Sequence, residues 1–149
     1  MEDWNIADTS RTGSVAELAV ASKLVELGFT VSWPLNTDTY DLIAEKGGVV
    51  KRIQVKTATM SKHHSYRCSL SHGTGKKRRA YKSKDCDFII LYAPFSKDYD
   101  DIQFDGYYVI PVLAAGKSIS SAIIFPAGKG KGNIMVCKWE KYKDGWKSI

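Results

Sequence analysis

The stretch Tyr40-Asp41-Leu42-Ile43-Ala44-Glu45-Lys46-Gly47-Gly48-Val49-Val50-Lys51-Arg52-Ile53-Gln54-Val55-Lys56 reads as a β-hairpin. Two β-type runs flank a Gly-Gly pair, a strong short-range hairpin signal. With Gly47 and Gly48 as the turn, paired residue numbers sum to 95, which sets Asp41 opposite Gln54. Cross-strand partners share a face, and Lys56, two residues on, shares it too. A carboxylate, an amide and an ammonium therefore converge on one patch. A slip of one residue would send them to opposite faces. The plain alternative is a cross-strand ion pair of Asp41 and Lys56 beside a solvent-facing Gln54.

Upstream, Thr12 to Phe29 reads as a helix ended by Gly28. At 100° per residue, Leu18, Val20, Ala21, Leu24, Val25 and Leu27 form an apolar arc. Ala19, Ser22, Lys23 and Glu26 form the opposite one. Glu17 falls near the middle of the apolar arc, where a carboxylate is costly unless a cation or several donors satisfy it. Ser14-Val15-Ala16-Glu17 also fits a capping box. Beside the hairpin carboxylate, a shared cation site is the stronger reading.

The chain has 149 residues, 44% of them hydrophobic and 26% charged. This suits one globular domain with a real core, residues 1–149. No apolar run is long enough to span a membrane. The acidic start Met1-Glu2-Asp3-Trp4-Asn5 lacks a signal-peptide pattern. Cys68, Cys86 and Cys137 are too few and too scattered for a disulfide framework, which points to a reducing cytoplasm.

The net charge of +6 is unevenly placed. About residues 59–84, Lys62, Arg67, Lys76, Lys77, Arg78, Arg79, Lys82 and Lys84 meet no Asp or Glu, a local charge of +8. The rest of the chain carries 14 basic and 16 acidic residues. A polyanion partner is the natural inference, and a solvated basic loop the plain one. His63, His64, Cys68 and His72 crowd into the same segment. Their spacing fits no standard zinc finger, and the surrounding bases would repel a cation. Cys86 and Cys137 read as core residues.

The remaining elements alternate. Phe29 to Pro34 and Tyr66 to Leu70 read as strands, and Ser71 to Gly75 as a flexible turn. Asp87 to Tyr92 reads as a buried central strand. Tyr107 to Leu113 is a strand whose Pro111 marks an edge or an end. Ser118 to Phe125 fits helix or strand equally. Gly128-Lys129-Gly130-Lys131-Gly132 is a basic loop, and Ile134 to Trp146 a strand with a short amphipathic helix. The order predicts an α/β or α+β fold, a sheet with helices packed on it.

These residues resemble the PD-(D/E)xK nuclease superfamily. Its pattern is a helix glutamate, a strand aspartate, and (D/E)-x-K on the next strand. Here the corresponding positions are Glu17, Asp41 and Gln54-Val55-Lys56. The resemblance covers about the first 58 residues, from Gly13-Ser14-Val15-Ala16-Glu17 to Ile53-Gln54-Val55-Lys56-Thr57. Tyr40 stands where the family has proline. Gln54 replaces the acidic residue and removes one negative charge, making a weaker ligand for a hard cation. This Q-x-K form is similar to small homing endonucleases of bacterial group I introns. Archaeal Holliday-junction resolvases share the spacing but keep the acid.

The resemblance implies a restriction-endonuclease-like core, a mixed β-sheet flanked by helices, and metal-dependent hydrolysis of DNA. Asp41, Gln54 Oε1 and the Val55 carbonyl would bind the metal, with Glu17 direct or through water. All-oxygen ligands favour Mg²⁺, with Mn²⁺ able to substitute. Lys56 would hold the attacking water or stabilise the phosphate charge. Double-stranded DNA would be met by Lys62, Tyr66, Arg67, Lys76, Lys77, Arg78, Arg79, Lys129 and Lys131. Cutting two strands implies a homodimer or a tetramer. A junction resolvase and an inactive DNA-binding module are the alternatives.

Overall fold

The computed structural model describes residues 9–37, 39–60, 66–94, 106–116, 121–124 and 139–149; for 9, 10, 59, 60, 66 and 121–124 it describes the backbone alone. In chain order the elements are helix α1 (Thr9–Glu26) and strands β1 (Thr30–Ser32), β2 (Leu42–Lys46), β3 (Val49–Thr57), β4 (Thr59–Met60) and β5 (Tyr66–Ser69). Then follow β6 (Ser71–His72), β7 (Arg79–Ala80), β8 (Phe88–Ala93), β9 (Gly106–Pro111) and β10 (Ser121–Ile124). Short 3-10 turns cover Gly75–Lys77, Val112–Ala115, Glu140–Tyr142 and Trp146–Ser148.

The central sheet has five strands in the order β1-β2-β3-β8-β9. It is mixed: β3 and β8 run parallel, and the other three neighbouring pairs are antiparallel. The hairpin has the expected register, from Leu42↔Ile53 to Lys46↔Val49. Gly47 and Gly48 both have positive φ, +60° and +80°. That is what a two-residue type I′ turn demands. β10, β5 and β4 form a small second sheet, and β6 with β7 a third.

One face of the sheet carries α1. Ala16, Val20, Ala21 and Leu24 pack on Leu42, Ala44, Ile53, Val55, Phe88 and Ile90. The opposite face, with Ile89, Leu91, Tyr108 and Ile110, meets Ala58, Cys68, Leu70, Tyr81 and Cys86. Among the described residues no second α-helix flanks this face; short strands and turns of the chain between β3 and β8 cover it. The reason lies in that segment's composition. Its glycines, serines and clustered bases offer no apolar stripe at helical spacing.

Several boundaries moved. α1 starts at Thr9, so Ser14 is inside the helix rather than at its N-cap. Leu18 and Val25, expected on the apolar arc, are 61% and 59% exposed. The buried stripe is the narrower Ala16-Val20-Leu24 row, with Glu17 on its flank. α1 ends as expected: Gly28 at φ +88° lets its N–H reach Val25 O at 2.9 Å, and Phe29 N–H reach Leu24 O at 3.0 Å. This is a Schellman cap. Pro111 closes edge strand β9. The ambiguous stretch around 121–124 is a strand, paired with β5. The end of the chain forms 3-10 turns rather than the expected amphipathic helix. Among the described residues no helix is long and apolar enough to cross a membrane.

Candidate active site

β2 begins at Leu42, while β3 runs on to Thr57. Beyond Ile53, the β3 backbone on that side has no strand partner among the described residues, and unpaired buried peptide groups are costly. Side chains supply the partners. Asp41 leaves the ladder: its N–H donates to Ile53 O at 2.8 Å instead of pairing with Gln54. Its Oδ2 accepts the Val55 N–H at 2.8 Å. Gln54 Nε2 donates to the same Oδ2 at 2.5 Å and to Val55 O at 3.0 Å. Asp41 and Gln54 thus meet as side chains without being a ladder pair. Asp41 Oδ1 takes no hydrogen bond from the described residues.

Gln54 is 8% exposed and its amide nitrogen, not Oε1, faces Asp41. A half-turn about its last bond exchanges the two at almost no cost in shape. The nitrogen lies between two oxygens, Asp41 Oδ2 and Val55 O, that a bound cation would use. Lys56 extends from the same sheet face. Its Nζ reaches Ser71 O at 3.5 Å and sits 5.4 Å from the centre of the Tyr81 ring.

Glu17 enters from α1 and is half-buried. Burial raises its pKa, the negative charge of Asp41 raises it further, and a hydrogen bond with the Trp33 side chain works the other way. Burial also raises the Asp41 pKa, opposed by the Val55 N–H and by the charge of Lys56. Two carboxylates that feel each other, an open Oδ1 and a strand carbonyl make an oxygen-rich place for a divalent cation. The donor set fits Mg²⁺ chemistry. No cluster of three His, Cys, Asp or Glu side chains exists among the described residues, so backbone and amide oxygens would have to complete the shell.

The basic segment divides. Arg79 places Nη1 2.6 Å from Asp85 Oδ2 and Nη2 2.9 Å from Oδ1. Asp85 is buried, and its pKa is held down at about 2 by that arginine first of all. This fork is committed to the fold. Among the described residues the side chain of Arg78, next to it, binds hydroxyls alone: Nε to Ser71 Oγ at 3.1 Å and Nη2 to Ser69 Oγ at 2.8 Å. Lys76 and Lys77 are exposed on a 3-10 turn. Arg67 is exposed on β5, which also carries the backbone of Tyr66. Lys62, Lys129 and Lys131 lie outside the described residues, as do His63, His64 and Cys137. Burial pushes the Cys68 and Cys86 thiols up to about 12, so neither supplies a thiolate at neutral pH. His72 packs edge-on against Tyr81 at 5.6 Å.

Sequence reasoning missed Trp33, Tyr81, Ser69 and Ser71. An exposed tryptophan beside Pro34, and one large aromatic inside a basic run, were the available signals. The serines had none. Also unforeseen was the anchor at Arg52, which donates to Lys84 O and Ser83 O at 2.7 Å each and forks onto Asp87. It stitches the turn before β8 to β3.

Comparison with known proteins bears on the fold and the family. The chain is similar to Protein 5.3 of Escherichia phage T7, with 34% identity over 81 residues, 54% of this chain and 69% of that one. Its fold matches a bacterial homing endonuclease, I-Ssp6803I, with a TM-score of 0.76 at 22% identity, covering 95% of this chain and 93% of that one. Residues 7–135 match the PD-(D/E)XK endonuclease family. The hairpin aspartate, the Q-x-K strand and the helix glutamate, on a mixed sheet of this topology, therefore belong to a member of the PD-(D/E)XK endonuclease family.

Proposed function

We propose that this chain is a metal-dependent DNA endonuclease that hydrolyses phosphodiester bonds, cutting double-stranded DNA at specific sequences as homing endonucleases do. The supporting observation is the end of β3, where Asp41, Gln54 and the Val55 carbonyl gather within hydrogen-bond distance beside Lys56. A nuclease domain spanning residues 1–149 acts in the cytoplasm as a homodimer or tetramer, because two strands need two such sites.

Asp41 Oδ1, the Val55 carbonyl and Gln54 Oε1 would hold Mg²⁺, with Glu17 direct or through water; Mn²⁺ would substitute. When bound, the ion neutralises the phosphate and sharpens a water for attack. The chain's own groups do the rest. The Val55 N–H fixes the Asp41 carboxylate. Gln54 turns its oxygen inward and releases Asp41 Oδ2. Lys56, propped on Ser71 O and the Tyr81 ring, stabilises charge on the phosphate. Lys76, Lys77 and Arg67 contact backbone phosphates in the exposed basic segment.

Gln54 favours one other reading. Its amide closes the site without any cation, as an inactive DNA-binding module would. A junction-selective nuclease remains the enzyme alternative. The experiment is a cleavage assay on a random duplex pool and a four-way junction, in Mg²⁺, in EDTA, and with Asp41→Asn. Metal-dependent cutting of few duplexes, lost in the variant, supports the proposal. Junction-selective cutting replaces it with a resolvase. Binding without cutting in Mg²⁺ and Mn²⁺ replaces it with a binding module.

A further inference from the structure

Two neighbouring arginines have opposite fates. Arg79 is neutralised by a buried aspartate, whereas Arg78 is held by two serine hydroxyls that carry no charge. The hydroxyls are themselves joined, Ser69 Oγ to Ser71 Oγ at 2.6 Å. Arg78 thus keeps a full positive charge while losing much of its freedom. Its Nη1 has no partner among the described residues. Ser71 is buried and holds both cations of the site, Arg78 through its hydroxyl and Lys56 through its carbonyl at 3.5 Å. Among the described residues Lys56 feels the charge of Asp41, whereas no carboxylate lies within ion-pair distance of Arg78. An anion reaching both would satisfy Arg78 and draw on Lys56. A guanidinium with one edge fixed and the other open suits phosphate oxygens.

We propose that Arg78 and Lys56 form a two-cation clamp on one backbone phosphate of the DNA strand in the site, with Ser69 and Ser71 positioning the guanidinium. This rests on the nuclease reading for its substrate. It sets Arg78 apart from the loose phosphate contacts of Lys76 and Lys77.

The test reads binding in EDTA, where no cutting occurs, so it is independent of whether the protein is a nuclease. A fluorescent duplex of random sequence is titrated with wild type, Arg78→Gln, Lys56→Gln and the double variant at several salt concentrations. Thermal melts check that each is folded. Arg78→Gln should lower the slope of log K against log salt by about 0.9, one phosphate contact. The double variant should bind at least about threefold tighter than the single losses multiply to, because both cations share one phosphate. Arg78→Lys keeps the charge but cannot span both serines. It should restore the slope and leave the coupling reduced. Lys147→Gln, exposed at the other end of the molecule, should show no coupling to Lys56. An unchanged slope in Arg78→Gln, or multiplicative losses in the double variant, overturns the clamp. Absence of cutting by wild type in a parallel assay with Mg²⁺ and Mn²⁺ overturns the nuclease reading alone.

Discussion

Asp41 carries three tasks at once: it ends a ladder, fixes Val55 and faces Glu17. Burial raises its pKa, so the ionised carboxylate costs the folded state stability. A raised carboxylate pKa means stability is greatest at low pH and falls as pH rises through the folded value. Asp41→Asn should therefore raise the melting temperature at pH 7 in EDTA, by about 2 °C. The gain should vanish as pH falls through the carboxylate range, and added Mg²⁺ should stabilise wild type but not the variant. Calorimetry at two pH values checks this. For catalysis, Lys56→Ala should slow single-turnover cutting at saturating DNA by about 10²–10³-fold, well beyond the affinity lost with one phosphate contact. Asp85 behaves in the opposite sense. Arg79 first, and then the Lys82 N–H against the cost of burial, hold its pKa down, from 3.8 to about 2. Its stability contribution is full above 3.8 and is lost as pH falls through about 2. Asp85→Ala should cost about 2–3 kcal/mol in chemical denaturation, less than a fully buried pair because Arg79 is over a third exposed. That Asp41, Gln54 and Lys56 meet was legible from the turn register and alternation; that Asp41 leaves the ladder to do so was not. The role of Arg79 was not, because its partner is met only when the turn at 82–85 folds back.

At the scale of elements, the hairpin was readable and the helix face was not. A Gly-Gly pair between β-type runs admits few turns, so the register from Leu42 to Lys46 followed. An added Cβ at Gly47 or Gly48 would meet nothing within 4 Å. Gly48→Val should still destabilise the protein by about 1–2 kcal/mol, purely from the cost of positive φ. Cutting should persist, since the turn lies at the opposite end of β2 from Asp41. A denaturation midpoint paired with a cleavage rate separates the two effects. α1 misled because apolar residues surround it: Leu18 and Val25 look like core and are exposed. Period alone cannot choose among apolar arcs; the sheet did, through Ile53, Val55 and Ile90. Glu17 consequently stands at the flank, half-buried and able to sense Asp41.

Across the whole molecule, the local charge of +8 in 59–84 was legible, but its distribution was not. Arg79 drops out by pairing with Asp85, and Arg78 bonds the same Ser71 that Lys56 touches. If two strands are cut by two copies, sedimentation with a cognate duplex should show a dimer or larger, and mixing wild type with Asp41→Asn should yield nicks. Composition, hairpin period and the Gly-Gly turn determined from the sequence that a carboxylate, an amide and a lysine share one strand end, because local spacing in a β-ladder is rigid. Only the tertiary structure decided that β2 stops at Leu42, that Gln54 closes onto Asp41, and that Ser71 touches both Arg78 and Lys56. Those contacts join residues far apart in the chain, and their partners are selected by packing and unpaired backbone groups, which no local pattern records.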